Sequence, residues 1–289
     1  MKTIVVLALE GVMESSLAIT LDTIRTGQSF LARSPRAGGV RLLVAGYRTS
    51  VPLGASMRLQ ADLTFANVLR EVPAPDWVIV PGLGLVSDAA IAARFAQKDA
   101  LAAAALLARL PETTRIGASC SAVFLLAETG LLAGRQCTMT WWLAKLFRQR
   151  HADARLDENM MLVRDGRFLT AGSAFAQLDL TLAVVAETMG TSVAELCSRY
   201  LLIDRRPSQA RYMVHTHTRH VDPTVVAAER WIDAHIDQPI AVAALAGALG
   251  VSPKTLARRI DAAIGMSPVK FIQQRRLQHA VHLIETTTW

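Results

Sequence analysis

Cys120 stands inside the stretch IGASCSAVFLLAETGLL, residues 116–132. Small residues lead into it and an apolar helical pattern follows at once. That is the local chemistry of a sharp strand-to-helix turn that lifts a nucleophile out of a sheet. A working cysteine hydrolase needs three further things: a stabilised thiolate, a base within reach and N–H groups for the oxyanion. Two carboxylates follow the first apolar run: Glu14, in GVMESS, and Glu10. The base is harder to find. His215, His217, His220, His235, His279 and His282 all lie late in the chain, and only His151, in RQRHAD, precedes them. Cys120 therefore has three roles open to it: a packed small hydrophobe, a wall of a binding pocket, or a redox sensor if its thiolate is accessible. The reading adopted is a pocket in which the elbow persists as geometry and the chemistry is lost. Glu14, Gly82, Cys120, Ser121 and Trp141 are its candidate lining residues, and no catalytic residue is assigned.

A second cluster lies near the C-terminus, in VAALAGALGVSPKTLARRIDAAIG. Val242, Leu245, Ala246 and Leu249 share one helical face. Gly250 can end that helix in a left-handed conformation. Ser252 suits an N-cap and Pro253 the first helical position. Leu256 and Ile260 point inward together, which leaves Lys254, Thr255, Arg258 and Arg259 outside. This is the pattern of a helix-turn-helix, whose second helix meets base edges with its N-terminal part. A helical hairpin with a solvated basic face has the same spacing, so spacing alone does not separate the two.

The whole chain frames these clusters. Its 289 residues are 52% hydrophobic, enough for two cores, and carry a formal charge of +7. From Arg205 onward 11 Lys and Arg face 6 Asp and Glu, a net of +5, so the last 85 residues hold most of the excess. Such a block points toward nucleic acid. No apolar run approaches the roughly 18–20 residues of a bilayer span. The opening MKTIVVLALEG reads as a buried strand, because Glu10 cuts its apolar run short. Three cysteines form no even framework and suit a reducing cytoplasm. No CxxC or HExxH spacing is present, and neither a metal nor a cofactor is expected.

Short β-branched runs at 3–9, 40–46, 76–82 and 114–119 alternate with helical stretches at 15–32, 88–110 and after Cys120, with Asp88 as the expected N-cap of the second. Alternation of this kind predicts a doubly wound, mostly parallel α/β sheet in three layers, flavodoxin-like. A hairpin follows at 158–172 with Asp165-Gly166 at its turn, then helices at 175–190 and 192–202. The expected domains are 1–202 and an all-α helix-turn-helix domain at 224–289, joined by a linker at 203–223.

Residues 231–285 resemble the first half of an AraC/XylS-type DNA-binding domain, through Trp231, the LA at 245–246, VSPKTLARR, MSP at 266–268 and RRLQHAVHLI. By that resemblance the positions of Lys254, Ala257 and Arg258 face bases, and Ala257 is too short to donate a hydrogen bond. The family carries two helix-turn-helix units; this chain ends at IETTTW, where the second would begin, so one unit is expected. VIVPGLG, IGASCSAVFLLAETGLLAGR, TMTWW and AGSAFAQLDLTLAVVAE resemble the ThiJ/PfpI branch of the class I glutamine amidotransferase-like superfamily. Together the halves look like GlxA-type transcriptional regulators. The resemblance places a carboxylate such as Glu14 beside the cysteine. It also puts histidines where this chain has Ser121 and Thr140. It implies a cytoplasmic regulator that binds DNA, senses a small molecule and forms a homodimer. The alternative is a cysteine-dependent amidase or glyoxalase-like hydrolase with an appended helical module.

Overall fold

The near-continuous apolar runs of the first half can only be satisfied by strands buried on both faces. In the computed structural model, which describes residues 1–32, 38–54, 57–204, 206–213 and 222–286, they form one seven-stranded sheet. Its strands are β1 (Lys2–Ala8), β2 (Val40–Gly46), β3 (Leu63–Thr64), β4 (Trp77–Val80), β5 (Arg115–Ser119), β6 (Leu162–Asp165) and β7 (Phe168–Ala171). Their order is β6-β7-β5-β4-β1-β2-β3. Every pair is parallel except the β6–β7 hairpin, where Asp165 opposes Phe168 across a turn opened by Gly166 at φ 58°. The chain moves outward from β1 through β2 to β3, then returns to β4 on the other side of β1. That reversal makes a crevice at the carboxyl ends of β1 and β4, where open α/β sheets take their ligands.

Helices cover the sheet. They are α1 (Glu14–Leu31), α2 (Asp88–Phe95), α3 (Lys98–Ala108), α4 (Val123–Glu128), α5 (Ala144–Arg150), α6 (Gln177–Met189) and α7 (Thr191–Tyr200). α1 packs on α6 and α7, and α3 packs on α4. Ile4 to Ala8 and Val78 to Val80 are fully buried between the layers.

The Ala-rich stretch expected as one helix from 88 to 110 is two. Ser87, not Asp88, caps the first, accepting a hydrogen bond from Ala90 N at 3.2 Å. The break at Ala96-Gln97 coincides with a buried ion pair. In one continuous helix Arg94 and Asp99 would sit roughly 140° apart around the axis. The break brings them together at 2.5 Å, with both side chains buried. Arg94 also donates to Glu10 O at 2.7 Å, and Asp99 accepts from Glu10 N at 2.8 Å. The pair thus cradles both polar groups of one peptide residue in the loop after β1.

Two compact units divide the chain, Met1–Ala210 and Arg211–Trp289. The segment expected as a linker, 203–223, is therefore not uniform: residues 206–210 belong to the first unit. In the second unit, α8 (Pro223–Ala234), α9 (Val242–Ala248), α10 (Pro253–Ile264) and α11 (Pro268–Thr286) surround a core of Val225, Ala228, Ile232, Leu245, Leu256, Ile260 and Phe271. Among the described residues no helix is long and apolar enough to cross a membrane.

Asp99→Ala leaves the Arg94 charge buried and the Glu10 N–H unsatisfied, and truncations of this kind cost about 3–5 kcal/mol. Urea unfolding followed by far-UV circular dichroism is the measurement; a loss below about 1 kcal/mol would place the pair among solvated surface contacts.

Candidate functional site

Four parallel strands deliver the site. β1 leads through a tight loop to Met13 and Glu14, β4 to Gly82, β5 to Cys120 and β7 to Gly172 and Ser173. Cys120 opens a 3-10 turn, Cys120–Ala122, that runs directly into α4. Its φ is 54°, in the left-handed region that a residue with a Cβ avoids. Neighbours on both sides fix that conformation. Cys120 N donates to Gly172 O at 2.8 Å. Ser121 Oγ accepts from Leu85 N at 3.1 Å. Ser16 Oγ accepts from Gly82 N at 2.8 Å, and a Cβ on Gly82 would meet the Cys120 Cβ at 3.1 Å. Gly82, Cys120 and Ser121 are thus brought together, and glycine at 82 is what lets β4 approach the elbow.

The thiol itself is buried. Burial raises its pKa above the ordinary 9.0, against weaker opposing hydrogen bonds from Ser121, the Thr140 side chain and the Ala174 backbone. The sulfur is a neutral thiol at neutral pH, the reverse of an activated nucleophile.

The two carboxylates go elsewhere. The Glu14 carboxyl lies over Gly54, where a Cβ would fall 1.7 Å from Oε1, and it is not among the hydrogen-bond partners of Cys120. Glu10 turns toward Arg48 at 4.0 Å. Trp141 stands edge-on to Trp142 with ring centroids 5.4 Å apart; its predecessor Thr140 reaches the sulfur, as Ser121 does. His151 packs on Phe124 and Phe147, with Nε2 3.6 Å from Glu128 Oε1. His151 is not among the hydrogen-bond partners of Cys120. His215, His217 and His220 lie outside the described residues. Among the described residues no group of three or more His, Cys, Asp and Glu could hold a metal ion.

Sequence reasoning missed Ser173 and Gln209, whose buried Oε1 accepts from Ser173 N and Oγ beside the elbow. Ser173 lay inside the recognised AGSAF stretch, so its signal was available. Gln209 had none, because nothing in a polar, proline-containing segment announces a buried amide.

The second unit is built as its spacing predicts. α9 ends in a Schellman turn: Val251 N donates to Ala246 O at 3.0 Å, Gly250 N donates to Gly247 O at 3.1 Å, and Gly250 has φ 65°. Ser252 Oγ then caps α10 by accepting from Thr255 N at 3.1 Å, and Pro253 takes the first turn. Leu256 and Ile260 are fully buried. Lys254 and Arg258, four residues apart, are exposed and have no side-chain partner among the described residues. Thr255 shares its hydroxyl with Ser252 at 2.9 Å. Arg259 is half-buried against α8: it hydrogen-bonds Thr224 Oγ1 and lies 3.4 Å from Asp222, the N-cap of α8. Arg275 of α11 holds Glu229 at 2.9 Å and Asp233 at 2.6 Å, fastening α11 to α8. Burial raises the Glu229 pKa, opposed by the Arg275 charge.

Fold and site define a class: an α/β sheet carrying a cysteine on a strained elbow, followed by a helix-turn-helix. The DJ-1/PfpI family model matches residues 2–187, and a helix-turn-helix domain model matches residues 245–288. The chain belongs to the DJ-1/PfpI family.

Its relatives include the HTH-type transcriptional regulator GlxA of Rhizobium meliloti, 30% identical over 178 residues, which are 59% of this chain and 53% of that one. The HTH-type transcriptional regulator CdhR of Pseudomonas aeruginosa is 26% identical over 166 residues, 56% and 49% of the two chains. This chain spans about half the length of these relatives. Drosophila melanogaster DJ-1beta shares the fold with a TM-score of 0.55 at 20% identity, over 71% of this chain and 99% of its own. A ThiJ/PfpI family protein from Pseudomonas syringae does so with a TM-score of 0.56 at 17% identity, over 96% and 90%.

The elbow strain is measurable. At ordinary positions Gly is less stable than Ala; at φ 54° Cys120→Gly is expected to be more stable than Cys120→Ala by about 1 kcal/mol, read by chemical denaturation. The reverse order would show that the left-handed conformation carries no cost here.

Burial lowers the His151 pKa below its ordinary 6.5, with Glu128 opposing. The fold accommodates neutral imidazole, so its contribution is complete above pH 6.5 and is lost as pH falls through the lowered value. Urea midpoints at pH 7.5 and 5.0 should fall further for the wild type than for His151→Phe; equal falls would remove His151 from the acid response.

Proposed function

We propose that this protein is a DNA-binding transcriptional regulator whose DJ-1/PfpI unit senses a small molecule without turning it over. The observation that carries the reading is the pair Lys254 and Arg258. Both are exposed and free of partners among the described residues, on the second helix of a capped helix-turn-helix whose buried face is complete. That face suits the major groove, where Arg pairs with guanine O6 and N7 and Lys reads guanine or phosphate. Arg259 acts within the fold, setting α10 against α8, and Thr255 completes the cap.

In the first unit the crevice at the strand ends is the sensing site, with Gly82, Cys120 and Ser121 at its floor. A buried neutral thiol with hydroxyl neighbours supports binding rather than acyl transfer, which needs a thiolate and a base. A ligand there alters DNA affinity only by favouring one arrangement of the protein, and coupling of about 1–3 kcal/mol is typical. The protein acts in the cytoplasm, where its three free cysteines stay reduced, and as a homodimer on a symmetric operator.

The test is selection of duplexes from a random-sequence pool by the full chain, followed by anisotropy titrations. Lys254→Ala and Arg258→Ala should each lose about 1–3 kcal/mol of discrimination between the selected and scrambled duplexes. Arg259→Ala should lower the melting temperature and leave the order of preferred sequences intact. Unchanged discrimination in both of the first two variants would remove α10 as the reading element.

A further inference from the structure

The segment that leaves α7 returns to the elbow before it enters the second unit. Arg206 donates to Asp179 at 2.5 Å and to Phe175 O at 2.8 Å. Ser208 bridges to Met160, and Gln209 N donates to Asn159 O at 2.9 Å. Gln209 then buries its side chain completely, at 1% exposure. Its Oε1 accepts from Ser173 N and Ser173 Oγ, both at 3.0 Å. Its Nε2 donates to Met139 O at 2.8 Å and faces Thr138 Oγ1 and Met160 O at 3.3 Å each. Both lone pairs and both hydrogens of the carboxamide are used, so the residue fits as a primary amide and as nothing else of its size.

This amide sits against the elbow. A Cβ on Gly172 would lie 2.4 Å from Gln209 Oε1, and Gly172 O is the acceptor that holds Cys120 N. On the side-chain route, Gln209 binds Ser173 Oγ, Ser173 Oγ lies 3.3 Å from Thr140 Oγ1, and Thr140 hydrogen-bonds the Cys120 thiol. Ser173 has one hydroxyl hydrogen. A group that takes it, or that displaces Thr140 from the sulfur, draws on the same bonds that retain Gln209.

We propose that residues 206–210 are a latch: the Gln209 carboxamide fastens the segment leading into the second unit to the floor of the Cys120 elbow, so that filling the elbow and releasing the segment are coupled. Coupling of this kind is reciprocal, and it holds whether or not the second unit reads DNA. Opening the latch uncovers Cys120; placing bulk on Cys120 opens the latch.

The experiment uses the full chain and iodoacetamide as the probe, with alkylation of each cysteine followed by peptide mass spectrometry. Cys137 and Cys197 are equally buried and report general loosening. Gln209→Ala removes the amide, and Gly172→Ala expels it while leaving Gln209 in the chain. In both, Cys120 should react about tenfold faster than in the wild type, the scale set by losing a buried hydrogen bond, with Cys137 and Cys197 unchanged.

A second arm needs no variant. In wild-type protein alkylated at Cys120, the amides of Gln209 and Ala210 should exchange hydrogen about tenfold faster, with β1 unchanged. An unaltered Cys120 rate in folded variants, a parallel rise in all three cysteines, or unchanged exchange at 209–210 after alkylation would each overturn the latch. Loss of DNA discrimination on its own would not bear on it.

Discussion

The left-handed backbone at Cys120 is the constraint on which the first unit turns. A residue with a Cβ stays at φ 54° only when its surroundings leave no better choice. Here the Gly172 carbonyl holds its N–H, the Leu85 amide holds the next side chain, and Gly82 allows β4 to close on its Cβ. Those partners come from two other strand ends, Gly172 after β7 and Gly82 and Leu85 after β4. The elbow is therefore a property of the assembled parallel sheet rather than of the local peptide. Its strain is balanced by the burial of β1, β4 and β5, which are packed on both faces.

The same burial that fixes the elbow disfavours its thiolate. Closing α4, the Leu85 loop and the β7 loop over Cys120 excludes water, and exclusion of water raises the thiol pKa. Hydroxyl groups from Ser121 and Thr140 stand where an activating imidazole would be needed. His151 is committed to an aromatic cluster with Phe124 and Phe147. What remains is a rigid polar floor, suited in the proposed function to recognition. The fate of Glu14 follows the same logic: as the first residue of α1 it meets the favourable end of the helix dipole, and Gly54 leaves room for its carboxyl there.

In the second unit, local signals and tertiary contacts divide the work. The Schellman turn at Gly250 and the Ser252 cap fix how α9 gives way to α10. The Leu256 and Ile260 face then decides which residues are left outside. Arg259 shows why a basic run is not a uniform surface. Adjacent to Arg258, it lies 100° further around the helix and reaches the Asp222 cap of α8 while its side chain stays 40% exposed.

The sequence by itself determined a great deal. Buried strands, the hairpin at Asp165-Gly166, the small-residue lead into Cys120, and the caps at Gly250 and Ser252 are all written in neighbouring residues. They were legible because periodicity, turn glycines and capping hydroxyls act within a few positions. The break in the 88–110 helix was not legible, because the Arg94–Asp99 pair that accompanies it closes on the Glu10 peptide some 80 residues away. Nor were the turning of Glu14 toward Gly54, the drawing of Arg259 onto α8, or the burial of Gln209 in a stretch that reads as linker. Each depends on a partner distant in the chain, and a polar side chain takes its role from the group it meets. Only the tertiary structure decides that meeting, because it is packing, not local preference, that brings those groups within hydrogen-bonding distance.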